Sequence, residues 1–342
     1  MTAVEFTLPA ALEAHGPPEA RGLARDGVRL LVGDATRDTV AHHRFTDLPG
    51  LLRPGDVLVV NTSATLPAAV PVVGNDLTVH LSTERPDGTW LVELRRAVDK
   101  ATVPYGGGEP GVRYRLPGGA AVVLRARFSR DRLWVADVHT GSFGSVLAYL
   151  RAHGAPIRYG YVPRPWPIAA YQTVFATEPG SAEMPSAGRP FTDRVVTRLV
   201  SAGVLVAPVL LHTGVASPEA HERPYPERFA VPATTARVVN QARAAGGRVI
   251  AVGTTVVRAL ESAADDDGTV HPADGWTDLI VTPARGVHAV TGLVTGFHEP
   301  QASHLDMLAA VVPPNLLRRC YTAAIGEGYL WHEFGDVNLL LA

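Results

Sequence analysis

The chain has 342 residues, 46% of them apolar, and a formal net charge of −2, with Lys100 the only lysine among 31 basic residues. It is long enough for one large core or two ordinary ones, and its bulk charge attracts no nucleic acid; any RNA contact must come from a local patch. Cys320 is the single cysteine, which excludes internal disulfides and cysteine-rich metal or cluster sites and reads as a buried structural thiol.

In chain order, a Pro-rich entry leads to a strand at Val28 to Val32, and Pro54-Gly-Asp-Val-Leu-Val-Val-Asn61 is a turn feeding a buried strand. From about 70 to 140 the texture changes to short alternating runs: Asp76 to Leu81, Thr89 to Arg95, Ala121 to Phe128 and Leu133 to Val138. Period-two patterning with frequent turn signals predicts a small antiparallel β-domain, a barrel. Gly106 to Gly108 and Pro117 to Gly119 read as hairpin loops, since neither leads into a helix. A short helix is predicted over Ser145 to His153, followed by the irregular connector Pro156 to Pro167. Its Tyr, Trp and Arg residues either plug a domain junction or stack on a base, packing being the preferred reading. Helices are predicted over Thr192 to Ala202 and Thr234 to Ala245, with the apolar run Gly203 to Leu211 between them. Gly246 to Ser262 reads as strand, Gly-Thr-Thr turn and helix start, with Thr254 or Thr255 as cap. Leu293 to Thr295 runs into Gly296-Phe-His-Glu-Pro300, and a helix follows from His304 to Val311 with Ser303 as its N-cap. The fold class is α/β: a mostly parallel sheet domain with an inserted antiparallel β-barrel domain. No basic stretch precedes an apolar one at the N-terminus and no run reaches the length of a bilayer span, so a cytoplasmic protein without a membrane partner is expected.

Three strand-like runs stop at polar residues: at His212, at Gly253-Thr-Thr255 and at His298. In α/β sheets ligands lie beyond the carboxyl ends of the strands, where these residues would converge. Free N–H groups at the start of a helix favour a carboxylate or a ribose edge there. The same turn also serves packing alone in many α/β domains, and a lone histidine is often structural. Arg258 and Glu261 are spaced to pair on one helix face, unless Arg258 turns to a ligand carboxylate.

These segments resemble the S-adenosylmethionine:tRNA ribosyltransferase-isomerases of queuosine biosynthesis, in that family's order and over nearly the whole chain. The resemblance rests on Phe45-Thr-Asp-Leu48, Pro54 to Asn61, Tyr171-Gln-Thr-Val-Phe-Ala176, Pro185-Ser-Ala-Gly188 with Phe191, Leu211-His-Thr-Gly214, Val249 to Arg258 with Leu260-Glu-Ser262, Thr295-Gly-Phe-His298 with Pro300, and Gly335-Asp336. It implies an α/β domain (1–64 and 151–342) interrupted by the barrel (65–150), with the active site in the cleft. It also implies that the ribosyl group of S-adenosylmethionine is transferred to the 7-aminomethyl-7-deazaguanine base of tRNA and isomerised, with adenine and methionine leaving. S-adenosylmethionine is then a substrate, and no prosthetic group or metal is expected.

That chemistry needs a base beside the sulfonium and polar anchors for carboxylate and ribose. His298 and His212 are the candidate catalytic residues, placed on two sides of the cleft. The candidate substrate-binding residues are Asn61, Arg158 in the connector, Tyr171, Gln172 and Thr173, Ser186 and Gly188, Gly214, Glu227, and Gly253, Thr254, Thr255 and Arg258.

Several positions depart from the family pattern. Ala64 and Ala69 stand where the family has arginines after the strand-end asparagine, Arg189-Pro190 replaces Leu-His, and His212-Thr-Gly-Val-Ala-Ser-Pro218 lacks the glycine-rich continuation. Of the family's later His-x-Met-His-x-Glu only Glu227 remains. The lost cations and imidazoles are groups suited to phosphate or a modified base, so the donor site is better kept than the acceptor site. Beside the leading reading stand two others: a divergent enzyme that uses a small-molecule acceptor or simply cleaves the donor, and a non-catalytic binding protein on the same scaffold.

Overall fold

The computed structural model describes residues 4–98, 101–129, 132–215, 225–300 and 302–342; Lys100 and the Ala216 to Pro218 end of the altered motif fall outside them. In chain order the strands are β1 (Arg29–Asp34), β2 (Thr39–Arg44), β3 (Val57–Asn61), β4 (Ser63–Thr65), β5 (Ala69–Pro71), β6 (Leu77–Glu84), β7 (Trp90–Val98), β8 (Ala101–Pro104), β9 (Arg113–Arg115), β10 (Ala121–Arg127), β11 (Leu133–His139), β12 (Glu178–Ser181), β13 (Leu205–Leu211), β14 (Glu227–Val231), β15 (Val249–Val252), β16 (Ala273–Thr277), β17 (Gly292–Gly296) and β18 (Val337–Leu341). The helices are α1 (Leu48–Leu51), α2 (Val146–His153), α3 (Asp193–Ser201), α4 (Ala233–Ala244), α5 (Thr254–Ser262), α6 (His304–Val311) and α7 (Pro314–Gly326).

A nine-stranded sheet runs in the order β16-β14-β13-β3-β15-β17-β18-β1-β2. Both of its faces are covered, which is why its central strands read as continuous apolar runs. In β3, Val57 and Val59 point into a core shared with α4, α5, α6 and α7, whereas Leu58 and Val60 point into a second core with α1 and α3. The helices carry matching apolar stripes: α3 buries Val195 and Leu199, one turn apart, and Thr192 caps it by accepting from the Val195 N–H at 3.3 Å. Burial of each such side chain contributes about 1.5–3 kcal/mol.

The sheet is mixed, which corrects the expectation of a mostly parallel one. The pairs β13–β3, β3–β15, β15–β17 and β18–β1 are parallel; β16–β14, β14–β13, β17–β18 and β1–β2 are antiparallel. The C-terminal strand β18 is the reason for the break near the centre, since it inserts antiparallel to β17 and parallel to β1. The parallel run β13-β3-β15-β17 places the ends at Leu211, Asn61, Val252 and Gly296 on one edge.

The second sheet, seven-stranded and antiparallel, runs β5-β6-β7-β11-β10-β9 with β8 beside β7, and it curls around its own core. Val79, Leu81, Val92, Leu94, Val122, Leu124 and Trp134 fill that core, and α2 adds Tyr149 and Leu150. The curl forms half a barrel: β5 and β9 are not paired as strands, although the Val73 N–H donates to the Arg115 carbonyl at 2.8 Å across the gap. A two-stranded parallel ribbon of β4 and β12 lies between the sheets in sequence and covers the end of β13. Cys320 is buried in the large core, which pushes its thiol up to about 11. None of the described helices is long and apolar enough to cross a membrane.

Candidate active site

A cavity of about 570 Å³ opens beyond the carboxyl edge of the parallel strands. Its lining draws on the turn after β15 (Gly253, Thr254, Thr255), on Arg258 one turn into α5, on the end of β17 (Thr295, Gly296, Phe297, His298), and on Ser82 and Thr83 of β6. Such a volume suits a ligand of drug or cofactor size.

The turn after β15 forms because Gly253 adopts φ +94° and ψ 157°, a region side-chain-bearing residues rarely reach. Gly253 itself occupies the N-cap position of α5, so neither threonine caps the helix as expected; Thr254 is its first residue. The Gly253 backbone is tied to the neighbouring strand by its N–H donating to the Val294 carbonyl at 2.8 Å. Thr255 Oγ1 accepts from Asn61 Nδ2 at 3.3 Å.

Arg258 is 7% exposed and every nitrogen of its fork is used: Nε donates to the Leu279 carbonyl at 3.1 Å, Nη2 to the Thr277 carbonyl at 3.0 Å, and Nη1 to the Glu227 carboxylate. The expected pair with Glu261 does not form. Glu261 instead bonds Arg285 and the N–H groups of His288, Ala289 and Val290. Glu227 also accepts from the Gly214 N–H at 2.8 Å; burial pushes its carboxyl up, opposed by Arg258.

His298 lines the cavity with Nε2 at 3.0 Å from Thr295 Oγ1, its ring stacked on His304 at 4.7 Å and 9°. Its backbone is clamped, the N–H donating to the Tyr321 hydroxyl and the carbonyl accepting from Trp331 Nε1. Burial, with His304 and His332 nearby, holds its pKa well below the ordinary value, so it is neutral at pH 7.

His212 follows β13 as expected but does not line the cavity. Its ring packs against Gly180, where a Cβ would come within 2.4 Å of Cε1, and its Nδ1 lies 2.8 Å from Ser63 Oγ. The β4–β12 ribbon covers it, so it does not face His298 across the cleft. Burial lowers its pKa to about 4.

Of the other sequence candidates, Tyr171, Ser186, Gly214 and Glu227 line the cavity. Asn61, Arg158, Gln172, Thr173 and Gly188 do not, and each has a structural task. Asn61 accepts from the Ser63 and Leu211 N–H groups at 3.0 Å each and donates to the Leu211 carbonyl at 2.8 Å, locking β3 to β13. Gln172 bonds both backbone groups of Thr65, at 2.9 and 2.8 Å. Arg158 Nη1 donates to the Val162 carbonyl, the Thr173 hydroxyl accepts from the Phe175 N–H, and a Cβ on Gly188 would press on Thr173 at 3.2 Å.

Lining residues that the sequence reading passed over include Glu183, His304, His332 and Glu333, and the connector's Tyr159 and Tyr161, read chiefly as packing residues, line it as well. Tyr159 and Tyr161 alternate inside the connector, and His332-Glu333 immediately precedes the Phe-Gly-Asp segment; these were the only local signals available. The connector thus both packs and lines: Val162 is buried with Ala14, Tyr171 and Phe334, while its two tyrosines face the cavity.

A model of the family described as "Queuosine biosynthesis protein" matches residues 1–340. The chain belongs to that family. The S-adenosylmethionine:tRNA ribosyltransferase-isomerase of Acidiphilium cryptum is 36% identical, over 97% of this chain and 98% of the relative. The protein of the same name from Moorella thermoacetica is 34% identical over 98% of each, and that of Thermus thermophilus 35% identical over 97% of this chain and 99% of its own. Among solved structures, the crystal structure of an S-adenosylmethionine tRNA ribosyltransferase from Thermotoga maritima matches with a TM-score of 0.55 and 25% identity, covering 99% of this chain and 100% of that one. This member of the family combines a large mixed sheet with a curled antiparallel one.

Proposed function

We propose that the cavity binds S-adenosylmethionine and that the protein transfers and isomerises its ribosyl group onto the 7-aminomethyl-7-deazaguanine base of tRNA. The observation that carries this reading is a ligand-sized cavity at the carboxyl ends of four parallel strands, in a chain whose residues 1–340 match the family. The division proposed with it is an α/β domain at 1–64 and 151–342 and an inserted domain at 65–150; the separate core of the curled sheet supports it.

In this reading the Gly253-Thr-Thr255 turn and the start of α5 hold the donor's methionine carboxylate or ribose hydroxyls, through backbone N–H groups and threonine hydroxyls. Arg258 sits one turn further in, and its bonds to two carbonyls and Glu227 fix the turn rather than leave the guanidinium free. His298 takes the proton beside the sulfonium. A neutral imidazole can accept a proton, and burial keeps this one neutral. His304, stacked on it and itself held at about 4, leaves the pair uncharged before the proton arrives.

The test is incubation with S-adenosylmethionine, with and without tRNA carrying 7-aminomethyl-7-deazaguanine, following adenine and methionine by mass spectrometry. Release that depends on that tRNA is expected; no release under any condition would defeat the reading. A second reading, a small-molecule acceptor, is favoured by Ala64 and Ala69 in place of two arginines and by the net charge of −2. Adenine release with the free base but not with the tRNA would select it.

A further inference from the structure

One wall of the cavity has a different chemistry from the turn that receives the donor in the proposed function. Tyr159 and Tyr161 stack at 5.7 Å and 19°, and Tyr161 stacks on His332 at 3.9 Å and 9°. The Tyr159 hydroxyl donates to Glu183, and the Tyr161 hydroxyl donates to Glu333 Oε2 at 3.1 Å. Two carboxyl groups are thus held by two phenols at the edge of an aromatic stack. Three polar atoms of this wall are buried without a hydrogen-bond partner: Glu333 Oε1, His332 Nε2 and the Tyr171 hydroxyl. The His332 side chain is 6% exposed and Tyr171 3%, so water does not satisfy them from the surface. Buried polar atoms left open in a cavity call for a ligand that completes them.

We propose that this wall is the acceptor subsite and that it takes a planar ring bearing a protonated primary amine. The ammonium sits between Glu333 and Glu183, one of which takes its proton as the nitrogen bonds the ribosyl group, and the ring edge meets His332 and Tyr171. The inference rests on the proposed function and names the residues that hold its acceptor's amine. An ammonium fits because its three donors match the open Glu333 oxygen and a second carboxylate, and because aromatic faces beside the carboxylates attract a compact cation. A bare divalent cation fits less well, since it needs six or more oxygens where this wall offers two carboxylates already engaged by phenols. Burial and the neighbouring Glu183 push the Glu333 carboxyl up to about 8, opposed by Tyr161 and Arg189; a bound cation relieves that repulsion. The wall also adjoins the proposed base, since His332 is one of the groups that hold His298 neutral.

The experiment is steady-state kinetics of Glu333→Gln and Glu183→Gln with tRNA carrying 7-aminomethyl-7-deazaguanine, read as adenine release. We expect KM for the acceptor to rise about tenfold to hundredfold in Glu333→Gln, the loss of a charge-assisted bond, with KM for S-adenosylmethionine within threefold. An unmoved acceptor KM, or a rise confined to the donor's, would overturn the assignment; the latter would place the donor's own ammonium on this wall. If the wild-type protein releases no adenine with that tRNA, the proposed function fails, and calorimetry decides the wall by itself. There, free 7-aminomethyl-7-deazaguanine should bind at least tenfold more tightly than the neutral 7-cyano analogue, and Glu333→Gln should bring the two within threefold. Equal affinities in the wild type, or no binding of either, overturn it. Tyr161→Phe, which removes only the hydroxyl holding Glu333, should move the acceptor KM in the same direction if Glu333→Gln folds poorly.

Discussion

His212 and His298 stand at equivalent points, each just past the end of a parallel strand of one sheet, β13 and β17, yet only His298 reaches the cavity. The difference comes from what covers the strand end. At β13 the β4–β12 ribbon closes over the histidine: Ser181 Oγ accepts from the Thr213 N–H at 2.9 Å and lies 2.6 Å from Ser63 Oγ, which in turn meets the imidazole. Among the described residues nothing of the kind covers His298, whose ring is stacked on His304 at the cavity wall. A strand end provides a direction, and an element remote in sequence decides whether a ligand can use it.

The largest effect expected from breaking this contrast is on His298. His298→Ala should lower the rate of donor-dependent adenine release by about 10²–10⁴-fold, the cost of losing a positioned base. Melting of the same preparations should show that the protein remains folded. A near-normal rate per folded molecule would make His298 a structural residue and erase the distinction from His212.

Next in size is the ion pair that ties β14 to α5 beside the β13 end. Arg258→Met leaves the buried Glu227 carboxylate without its cation, and breaking a buried pair from one side costs about 3–5 kcal/mol. Chemical denaturation should show that loss. Arg258→Lys keeps the charge but cannot reproduce bonds to Leu279, Thr277 and Glu227 together, so it should fall between the two. If Arg258→Lys matched the wild type in both stability and donor affinity, the fork geometry would be irrelevant.

A smaller effect is expected at the turn between the two histidines. Thr254→Ala with Thr255→Ala should weaken donor binding by about 1–3 kcal/mol in total if two hydrogen bonds are lost. Because Thr255 also accepts from Asn61, its single variant should show part of its effect as lowered stability, whereas Thr254→Ala should act on binding alone. Calorimetry with S-adenosylmethionine separates the two.

What could be read from the sequence follows the same line. Elements with a strong local period were legible to within a residue or two: α3, α4, α6 and the β15-turn-α5 unit lie where apolar spacing and turn residues placed them. The Gly253 turn was legible because only a glycine permits its backbone. The mixed character of the large sheet was not, because β18 takes its place by long-range register, and an apolar pentapeptide at the chain's end does not encode its neighbours. Asn61 and Gln172 sit in family motifs, yet their side chains are consumed by backbone groups of Leu211 and Thr65; a motif marks a constrained residue without saying whether ligand or backbone constrains it. The Tyr159, Tyr161, Glu183, His332 and Glu333 wall comes from three separated loops and has no period at all, so only the folded chain brings it together.

The smallest expected effect is at His212, where the variant should change stability and leave turnover alone. His212→Ala removes the contact to Ser63 and leaves a hydroxyl without one partner, a loss of about 1 kcal/mol, while adenine release per folded molecule stays within twofold of the wild type. The sign of its pH dependence provides a sharper check. The folded-state pKa is lowered to about 4 from an ordinary 6.5, so the unfolded chain binds more protons between those values. The contribution of a neutral His212 is complete above pH 6.5 and is lost as the pH falls towards 4, at no more than about 1.4 kcal/mol per pH unit. His80, His304 and His332, held at about 3, 4 and 4 by burial, act in the same direction, so the wild-type slope persists in part when His212 alone is removed. The wild-type advantage in melting temperature over His212→Ala should therefore be greatest at pH 7, shrink below pH 6.5 and reverse as the pH approaches 4. A difference that stays constant with pH would mean that the imidazole's charge state plays no part in holding the covered strand end closed.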